Sequence, residues 1–437
     1  MTRQSSFYGW KLLAVFWIIL FANFAFPLYG ASVVNSYMAI ALHWNRMQLG
    51  VASSIYQLMI GVPAPLVAWC IAKRGVRFTA ALGCAVVVVG ALLMSLVVRT
   101  RLQVDLVYGV LIGLGAMSGG VLVSQTGINR WFNKRKGLAI TLVHTGGTFG
   151  GFVAARLLDK AIRLAGGNWR AGWWLIAVLS AICTLLAVAF VRERPSDLGQ
   201  FPDGESPDSP RLQSAAATRV SSGKACGVYQ TADDWTLGEA LRTRALWLFI
   251  LSLLGFSAGY PLYLAHGVLH LRDLGYSPAA AASSISIMLL SALFGTLFFA
   301  GIADRIEPRL AWAISSVVFT AGLLLALHAS GSVGLYLYAI LLGSSFGTMF
   351  SAMMVLPANY YGVKAYPAVI SLAMVIGTSA GAAGEVIAGA VYDHVGSYTP
   401  VFYCVAAMTL LSMIFLLLMK PARKPAGELV AVAAEQA

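Results

Sequence analysis

The sequence predicts an all-α membrane protein in which twelve transmembrane helices form two six-helix bundles related by a pseudo-twofold axis. Three observations predict this fold: long apolar segments fill the chain, basic residues collect on one side of the membrane, and the two halves of the sequence resemble each other. The chain has 437 residues, of which 59% are hydrophobic and 11% charged. Its net charge of +13 therefore has to be judged by where the few charged residues fall.

Apolar segments recur along the whole chain, and each is long enough to cross a hydrocarbon core of about 30 Å as a helix. They lack the strict apolar–polar alternation of strands. The expected spans, numbered 1 to 12, are 12–38, 47–71, 78–98, 103–128, 137–158, 170–191, 244–269, 279–302, 310–328, 333–357, 365–390 and 399–419.

Basic residues favour one side of this arrangement. With a cytoplasmic N-terminus, 22 of the 30 Lys and Arg residues fall on the inner side, including the cluster in "NRWFNKRKGLA" (129–139). Because cytoplasmic loops of membrane proteins are enriched in Lys and Arg, we expect both termini in the cytoplasm. The positive charge then orients the chain and meets anionic lipid headgroups, and we expect no nucleic-acid partner.

The five cysteines show neither metal-ligand nor disulfide spacing, so we expect no metal and no cofactor. The first apolar segment is too long for the core of a signal peptide, and we interpret it as span 1.

A polar segment divides the chain. Residues 192–243 are rich in Pro, Ser, Gly and Asp, which is typical of a linker, here a cytoplasmic one. We therefore expect an N-terminal bundle at 1–191, a C-terminal bundle at 244–420 and a disordered tail at 421–437.

The two halves share short motifs at a nearly constant offset. At an offset of 229, "WFNKRKGLAITL" (131–142) aligns with "YYGVKAYPAVIS" (360–371), and "GNWRAGWWLIA" (167–177) with "GSYTPVFYCVA" (396–406). At 232, "AKRGVR" (72–77) aligns with "DRIEPR" (304–309). Parallel repeats predict a central site between the halves that can open to either side. The alternative is a duplication without transport.

Several motifs resemble a known family. The loops at 72–77 and 304–309 are similar to the signature of the major facilitator superfamily, an acidic residue and Arg followed by Gly and basic residues, although Ala72 and Lys73 stand first in the earlier loop. Within it, the chain resembles the bacterial monocarboxylate and oxalate/formate antiporter branch. The motifs that carry this second resemblance are "YGWKLL" (8–13), "RWFNKRKGLA" (130–139), "RPSDLGQFPDG" (194–204), "HLRDLGYSPAAAA" (270–282) and "AGAVYDHVGSY" (388–398).

The resemblance implies the major facilitator fold, a location in the bacterial inner membrane, a monomer and a small-molecule substrate. In that branch an Arg on span 8, sometimes helped by a Lys on span 11, typically holds the carboxylate. Here span 8 has no cation and span 11 carries Glu385. A neutral or cationic solute therefore stays open as an alternative to a monocarboxylate.

The inner loops carry candidate gate residues. We expect Asp304 to pair with Arg305 and Arg309, and Lys73, Arg74 and Arg77 to cap helix ends or pair across the halves. Exposed ion pairs are worth only about 0–1 kcal/mol, which suits a gate that must open and close. The alternative is that these cations only fix the topology.

Two charges lie inside the predicted spans, Arg156 and Glu385, and the offset of 229 relates them. Such charges usually face a cavity or a partner. Glu385 extends a polar stripe with Ser371 and Thr378 along span 11, and Thr145 shares a face of span 5 with Arg156. In the superfamily that the chain resembles, spans 5 and 11 help line the path between the halves, so we expect both stripes to border it. Glu385 is then either the proton carrier or an outer gate paired with Arg156 or Arg46. The rival titrating groups are His144 and His266.

Hydroxyl, amide and aromatic side chains complete the predicted solute and proton pathway, although such groups also bond between helices. They are Tyr29, Asn35, Gln57, Ser118, Tyr260, Tyr263 and Ser291. The glycine pairs at 146/150, 343/347 and 377/381 have the spacing of close helix packing.

These patterns predict a secondary active transporter that moves a small organic solute by alternating access, with proton coupling. The alternatives are an efflux pump for amphipathic compounds and a solute sensor that does not transport. An enzyme is disfavoured because the sequence has no HExxH motif, no paired intramembrane aspartates and no Walker loop.

Overall fold

The computed structural model of the chain describes residues 7–42, 46–204, 228–231, 233–329 and 331–421. In this part of the chain, twelve helical segments correspond to the twelve expected spans. They are α1 (9–41), α2 (46–74), α3 (76–96), α4 (101–131), α5 (Lys136–Leu164), α6 (Arg170–Phe190), α7 (Arg244–Asp273), α8 (Pro278–Ile302), α9 (Pro308–Leu327), α10 (331–361), α11 (363–395) and α12 (Thr399–Leu418).

Two glycines divide what would otherwise be continuous helices. Gly75 has φ +88° and separates α2 from α3, while Gly362 has φ +69° and separates α10 from α11. A side chain rarely adopts this left-handed conformation, so glycine permits the chain to reverse within a single residue. Among the described residues, eight helices are long and apolar enough to cross a membrane. Two of these eight helices continue across Gly75 and Gly362, and α7 and α8 contain shorter apolar runs.

The helices match the expected spans closely, with one clear extension. Span 5 was expected to end at residue 158, but α5 continues to Leu164. Polar residues near its outer end (Asp159, Lys160 and Arg163) hide the continuation, because hydropathy falls where the helix leaves the apolar layer.

Helices α1, α2 and α4 are irregular, and α2 is interrupted by a turn at residues 60–63. Helix α1 contains a π-helical turn at Leu20–Phe24 and a bend at Gly30, and α4 contains a π-helical segment at Asp105–Ile112 and a break at residues 119–120. Such π-helical turns often lie beside functional sites because they re-aim the side chains that follow.

Two of the three glycine pairs bring helices into close contact, as expected, whereas Gly377 and Gly381 line a cavity between the halves. In the first half, a Cβ at Gly146 would overlap the backbone carbonyl of Trp17, so α5 lies directly against α1. In the second half, a Cβ at Gly347 would overlap the carbonyl of Ala292, so α10 lies directly against α8. The absence of side chains thus permits backbone-to-backbone packing inside each bundle.

The inner face is defined here by the loops at 72–77, 131–136 and 303–307. The ends of the predicted linker pack on it: Asp203 accepts hydrogen bonds from the backbone N–H groups of Asn133 (3.0 Å) and Lys134 (2.8 Å). On the other half, the backbone N–H of Tyr229 donates to Glu307 at 2.9 Å. The middle of the linker, 205–227, and the tail after residue 421 lie outside the described residues.

Candidate functional site

A cavity of about 410 Å³ lies between the two halves, midway across the bundle. Helices α1, α2, α4 and α5 line it from one half, and α7, α8, α10 and α11 from the other. Each half thus contributes the same four helices of its repeat, as the internal duplication predicts.

Four of the predicted pathway residues line this cavity: Tyr29, Gln57, His144 and Thr378. Three further polar residues, Ser54, Thr148 and Ser257, also line it and were missed by the sequence reasoning. Ser54 precedes Gln57 by one helical turn, and Thr148 follows His144 by one turn. The helical register around the predicted residues could have identified both.

His144 reaches from the first half to the second. Its imidazole ring stacks on Phe350 of α10, with ring centroids 4.3 Å apart and an interplanar angle of 25°. The Nδ1 atom is buried and has no hydrogen-bond partner among the residues that the structure describes. An imidazole nitrogen in this position is available to a solute or a proton.

The rest of the wall is aromatic and sulfur-rich. Phe256 and Phe346 stack with centroids 5.3 Å apart, and Phe350 packs beside both. The apolar members of the lining include Phe24, Met117, Met353, Met354 and Met374. Among the described lining residues there is no Asp, Glu, Lys or Arg. The cavity therefore offers hydroxyl, amide and imidazole groups against an apolar surface, a combination typical of small-molecule sites.

Arg156 lies outside this lining, contrary to the sequence-based expectation. The residue is exposed, and its guanidinium carbon lies 4.4 Å from the ring centroid of Phe152, one turn away on the same helix. Thr145, expected to share its stripe, faces α1 instead: its Oγ1 accepts a hydrogen bond from Trp17 Nε1 at 2.9 Å. The close packing of α5 on α1 turns this face of α5 away from the cavity.

Three other predicted residues lie in helix packing rather than in the lining. Asn35 is buried, and its Oδ1 lacks a partner in the described part of the chain. The backbone of Ser118 packs against Gly83 of α3, and Ser291 packs against Gly343 of α10.

For four predicted residues the structure does not describe the side chain. They are Tyr260, Tyr263, His266 and Glu385. For Glu385 the backbone is helical, and position 385 follows the cavity-lining Gly381 by one turn of α11.

Asp304 joins the two halves at the inner face. Its Oδ1 accepts a hydrogen bond from the backbone N–H of Gly137 at 2.8 Å, and its Oδ2 accepts one from Leu138 at 3.3 Å. Asp304 therefore caps the N-terminus of α5, where the helix dipole favours a negative charge. We call this contact the inner latch.

Burial raises the pKa of the Asp304 carboxyl above its usual value, and the nearby carboxylate of Asp203 adds to the rise. The two backbone hydrogen bonds and Arg135 oppose it, because they favour the ionised form. The expected partners of Asp304 have other roles: no described ion pair joins it to Arg305 or Arg309, and an Nη atom of Arg309 donates to the carbonyl of Met419.

The basic loop of the first half does not form a matching latch. Lys73 lies over the ring of Trp69 at 5.0 Å and Arg74 over Phe78 at 5.8 Å, both within their own half. Arg77 donates from Nε to the carbonyl of Val188 at 2.9 Å. None of these contacts crosses between the halves. Arg77 instead caps a helix end, the other role expected of these cations, because Val188 lies in the last turn of α6.

Glu193 supplies the carboxylate that this loop lacks. It accepts hydrogen bonds from the backbone N–H groups of Val76 (2.9 Å) and Arg77 (2.7 Å), and it pairs with Arg130 at 2.7 Å. The sequence reasoning missed Glu193 because it stands at the start of the linker, far along the chain from the loop that it caps.

A family model of the Major Facilitator Superfamily matches residues 12–384, with a second, overlapping match over residues 267–435. A structural comparison finds the E. coli fucose:proton symporter FucP, with a TM-score of 0.65 and 14% sequence identity, covering 93% of this chain and 98% of that one. At this identity the likeness concerns the fold.

Two curated relatives are similar in sequence. An uncharacterised MFS-type transporter of Bacillus subtilis, YcxA, is 27% identical over 186 residues, which cover 41% of this chain and 45% of YcxA. Monocarboxylate transporter 13 of Bos taurus is 25% identical over 305 residues, which cover 68% of this chain and 64% of that protein. The chain thus spans less than two thirds of the length of each of these relatives.

Proposed function

Because this chain belongs to the major facilitator superfamily, whose fold is that of transporters, we propose that it carries a small monocarboxylate together with a proton. Transport proceeds by alternating access across a bacterial inner membrane.

The observation that carries the proposal is the position of His144. A carboxylate moved into an apolar cavity without a partner costs several kcal/mol. Since no Lys or Arg occurs among the described lining residues, His144 is the candidate counter-charge. It takes up its proton together with the anion, because an isolated imidazolium in an apolar cavity is as costly as an isolated carboxylate. The imidazolium and the carboxylate together are neutral, so the loaded protein can change the side to which its cavity is open without moving net charge.

The apolar wall suits the other end of such a solute. Phe256, Phe346 and Phe350 form one aromatic surface beside His144. A monocarboxylate has a charged end and an apolar body, so it can meet the imidazole and this surface at the same time.

Glu385 is the rival proton carrier. Position 385 continues the α11 face that carries Thr378 and Gly381, one turn nearer the outer face. Its two candidate roles are the ones expected from the sequence, a proton carrier and an outer gate.

A second candidate function is efflux of amphipathic compounds, which the four cavity methionines favour. Met117, Met353, Met354 and Met374 line the cavity. Methionine side chains adapt to ligands of different shapes, and such surfaces are common in promiscuous sites.

Transport by purified protein in liposomes tests the proposal. Under an imposed proton gradient, labelled formate, lactate or another monocarboxylate should accumulate against its own gradient. His144→Gln should abolish this accumulation, whereas His328→Gln, the same change at an exposed site at the end of α9, should not. Accumulation of amines or lipophilic dyes without any carboxylate would favour efflux, and full activity of His144→Gln would reject the role of His144.

We further propose that residues 192–243 join the bundles 1–191 and 244–420 on the cytoplasmic side, with both termini there, and that the protein acts as a monomer.

A further inference from the structure

Between the cavity and the inner latch, the two halves meet across buried polar side chains with unused hydrogen-bonding atoms. The inner part of α4 and α5 packs against α8, α10 and α11 of the other half. Polar groups without partners are uncommon in folded proteins, where nearly all buried ones are hydrogen-bonded. This set therefore calls for a functional reason.

On α4, the cavity-lining face continues directly into two of these residues. Met117 and Val121 line the cavity, and Ser124 and Gln125 follow Val121 by three and four positions. Both are fully buried. The Gln125 amide is fixed because its Nε2 donates to the carbonyl of Ile140 at 3.2 Å. Within the described chain, neither Ser124 Oγ nor Gln125 Oε1 has a partner.

On α5, the same continuation reaches the latch. Thr148 and His144 line the cavity, and Thr141 lies one turn nearer the inner face, offset from Thr148 by only about 20° around the helix. Thr141 is fully buried, and its Oγ1 bonds to none of the residues that the structure describes. One further turn along this face is Gly137, whose N–H is held by Asp304.

On α11, the second half supplies one more such group. Ile370 lines the cavity, and Tyr366 precedes it by one turn toward the inner face. Tyr366 is fully buried, and its hydroxyl oxygen has no partner among the described atoms. Three helices from two halves therefore present polar groups along the line from the cavity to the latch.

We propose that Ser124, Gln125, Thr141 and Tyr366 form the inner half of the solute path, sealed in this structure, and that they bind the carboxylate end of the solute and its water when the halves separate. The hydroxyl groups of Ser124, Thr141 and Tyr366 donate hydrogen bonds to an anion, and Gln125 Oε1 accepts them from water. The solute identity rests on the proposed function, but the position of the path does not.

The unpaired polar groups limit how stable the closed state can be. Each unpaired buried polar atom destabilises the closed arrangement relative to one in which it is hydrated. The latch at Asp304 offsets this effect, so the closed state prevails by a margin small enough for the path to open. Apolar side chains at the same positions would hold the inner face shut.

Cysteine accessibility tests the path. In a background where Cys70, Cys226 and Cys404 are replaced by Ser, Thr141→Cys in inside-out vesicles should react slowly with N-ethylmaleimide. Adding Asp304→Ala, which removes the latch, should speed the reaction about 5–30-fold, the change that loss of the latch predicts. The matched control is Thr126→Cys: Thr126 is equally buried, but it lies roughly 140° around α4 from Val121 and donates to the carbonyl of Leu122.

The accessibility test has clear outcomes. A Thr141→Cys that stays unreactive in the Asp304→Ala protein overturns the proposal, as does one that reacts no faster than Thr126→Cys. Neither result depends on a transported solute, so a failure of the transport assay leaves this test intact.

Thermal stability in detergent gives an independent readout. If the hydroxyl groups are unpaired in the closed state, Tyr366→Phe and Thr141→Val should raise Tm, although most substitutions in a core lower it. Thr126→Val, which removes a hydrogen bond that is made, should not raise Tm. A lower Tm for both Tyr366→Phe and Thr141→Val would mean that these groups have partners in the closed protein, and would overturn the proposal.

Discussion

Replacing Asp304 by Ala tests the seal between the two halves at the inner face. Asp304 accepts hydrogen bonds from Gly137 at 2.8 Å and Leu138 at 3.3 Å, and these bonds cross from one half to the other. The first has an ordinary length and the second is long. Since the carboxylate is only half-buried, we assign about 1–2 kcal/mol to the pair together with the helix dipole. This corresponds to a shift of roughly 5–30-fold between closed and open inner faces.

Electron–electron double resonance can measure this shift. Spin labels at Ser196 and Ile306, exposed on the inner face of the two halves, report the distance between the halves. In Asp304→Ala the ratio of the longer-distance to the shorter-distance population should rise by the factor given above. The control is Glu307→Gln, because Glu307 bonds to Tyr229 on its own side and not across the halves. An unchanged distance distribution in Asp304→Ala, or an equal change in the control, would refute the latch.

Three further predictions follow from local geometry. Because the pKa of Asp304 is raised in the closed state, that state binds the proton more tightly than a state in which the carboxyl group is hydrated. The closed population should therefore be largest in acid and fall as the pH rises through the raised pKa. In the same distance measurement, Asp304→Asn should remove this pH dependence. Gly347→Ala should lower stability by about 1–3 kcal/mol, because its Cβ would overlap the carbonyl of Ala292, whereas Gly301→Ala meets open space and should not lower Tm. Glu193→Gln should lower stability by about 1 kcal/mol by weakening the cap of α3, and an unchanged Tm would contradict that role.

Much of the fold could be predicted from the sequence because hydropathy reports directly on the surrounding lipid. The number and order of the helices follow from the apolar segments, and the glycine pairs on spans 5 and 10 predict close packing there, although not which helix each one contacts. The outer end of α5 was missed, since its charged residues look like a loop even though the helix continues.

The sequence predicted a cavity-lining residue correctly only where the position of that residue on its own helix decided whether it faces the cavity. His144, Gln57 and Thr378 line the cavity as expected, but Arg156 does not. Its expected orientation assumed that an intramembrane charge faces the path, whereas the packing of α5 on α1 decides which face is free. Sequence cannot give that rotation, because it depends on a neighbouring helix.

The partners at the inner face were also hard to predict. Sequence reasoning paired Asp304 with the cations beside it, but the structure gives it the backbone N–H groups of Gly137 and Leu138. Every residue except proline has a backbone N–H, so the sequence does not indicate which N–H groups a carboxylate will bind. The residues next to Asp304 therefore could not predict that it caps a helix of the other half. The same reason hid Glu193, which caps α3 from beyond α6.

The most direct test of the account follows protons and solute together. Liposomes containing the protein and an internal pH indicator are given an external monocarboxylate that drives uptake, at equal pH on both sides and in the presence of a conductor that removes the membrane potential. We predict that the lumen of wild-type vesicles becomes more acid as the labelled solute enters, and that His144→Gln vesicles show neither change. Solute entry without acidification, or acidification that persists in His144→Gln but disappears in Glu385→Gln, would contradict the assignment of the proton to His144.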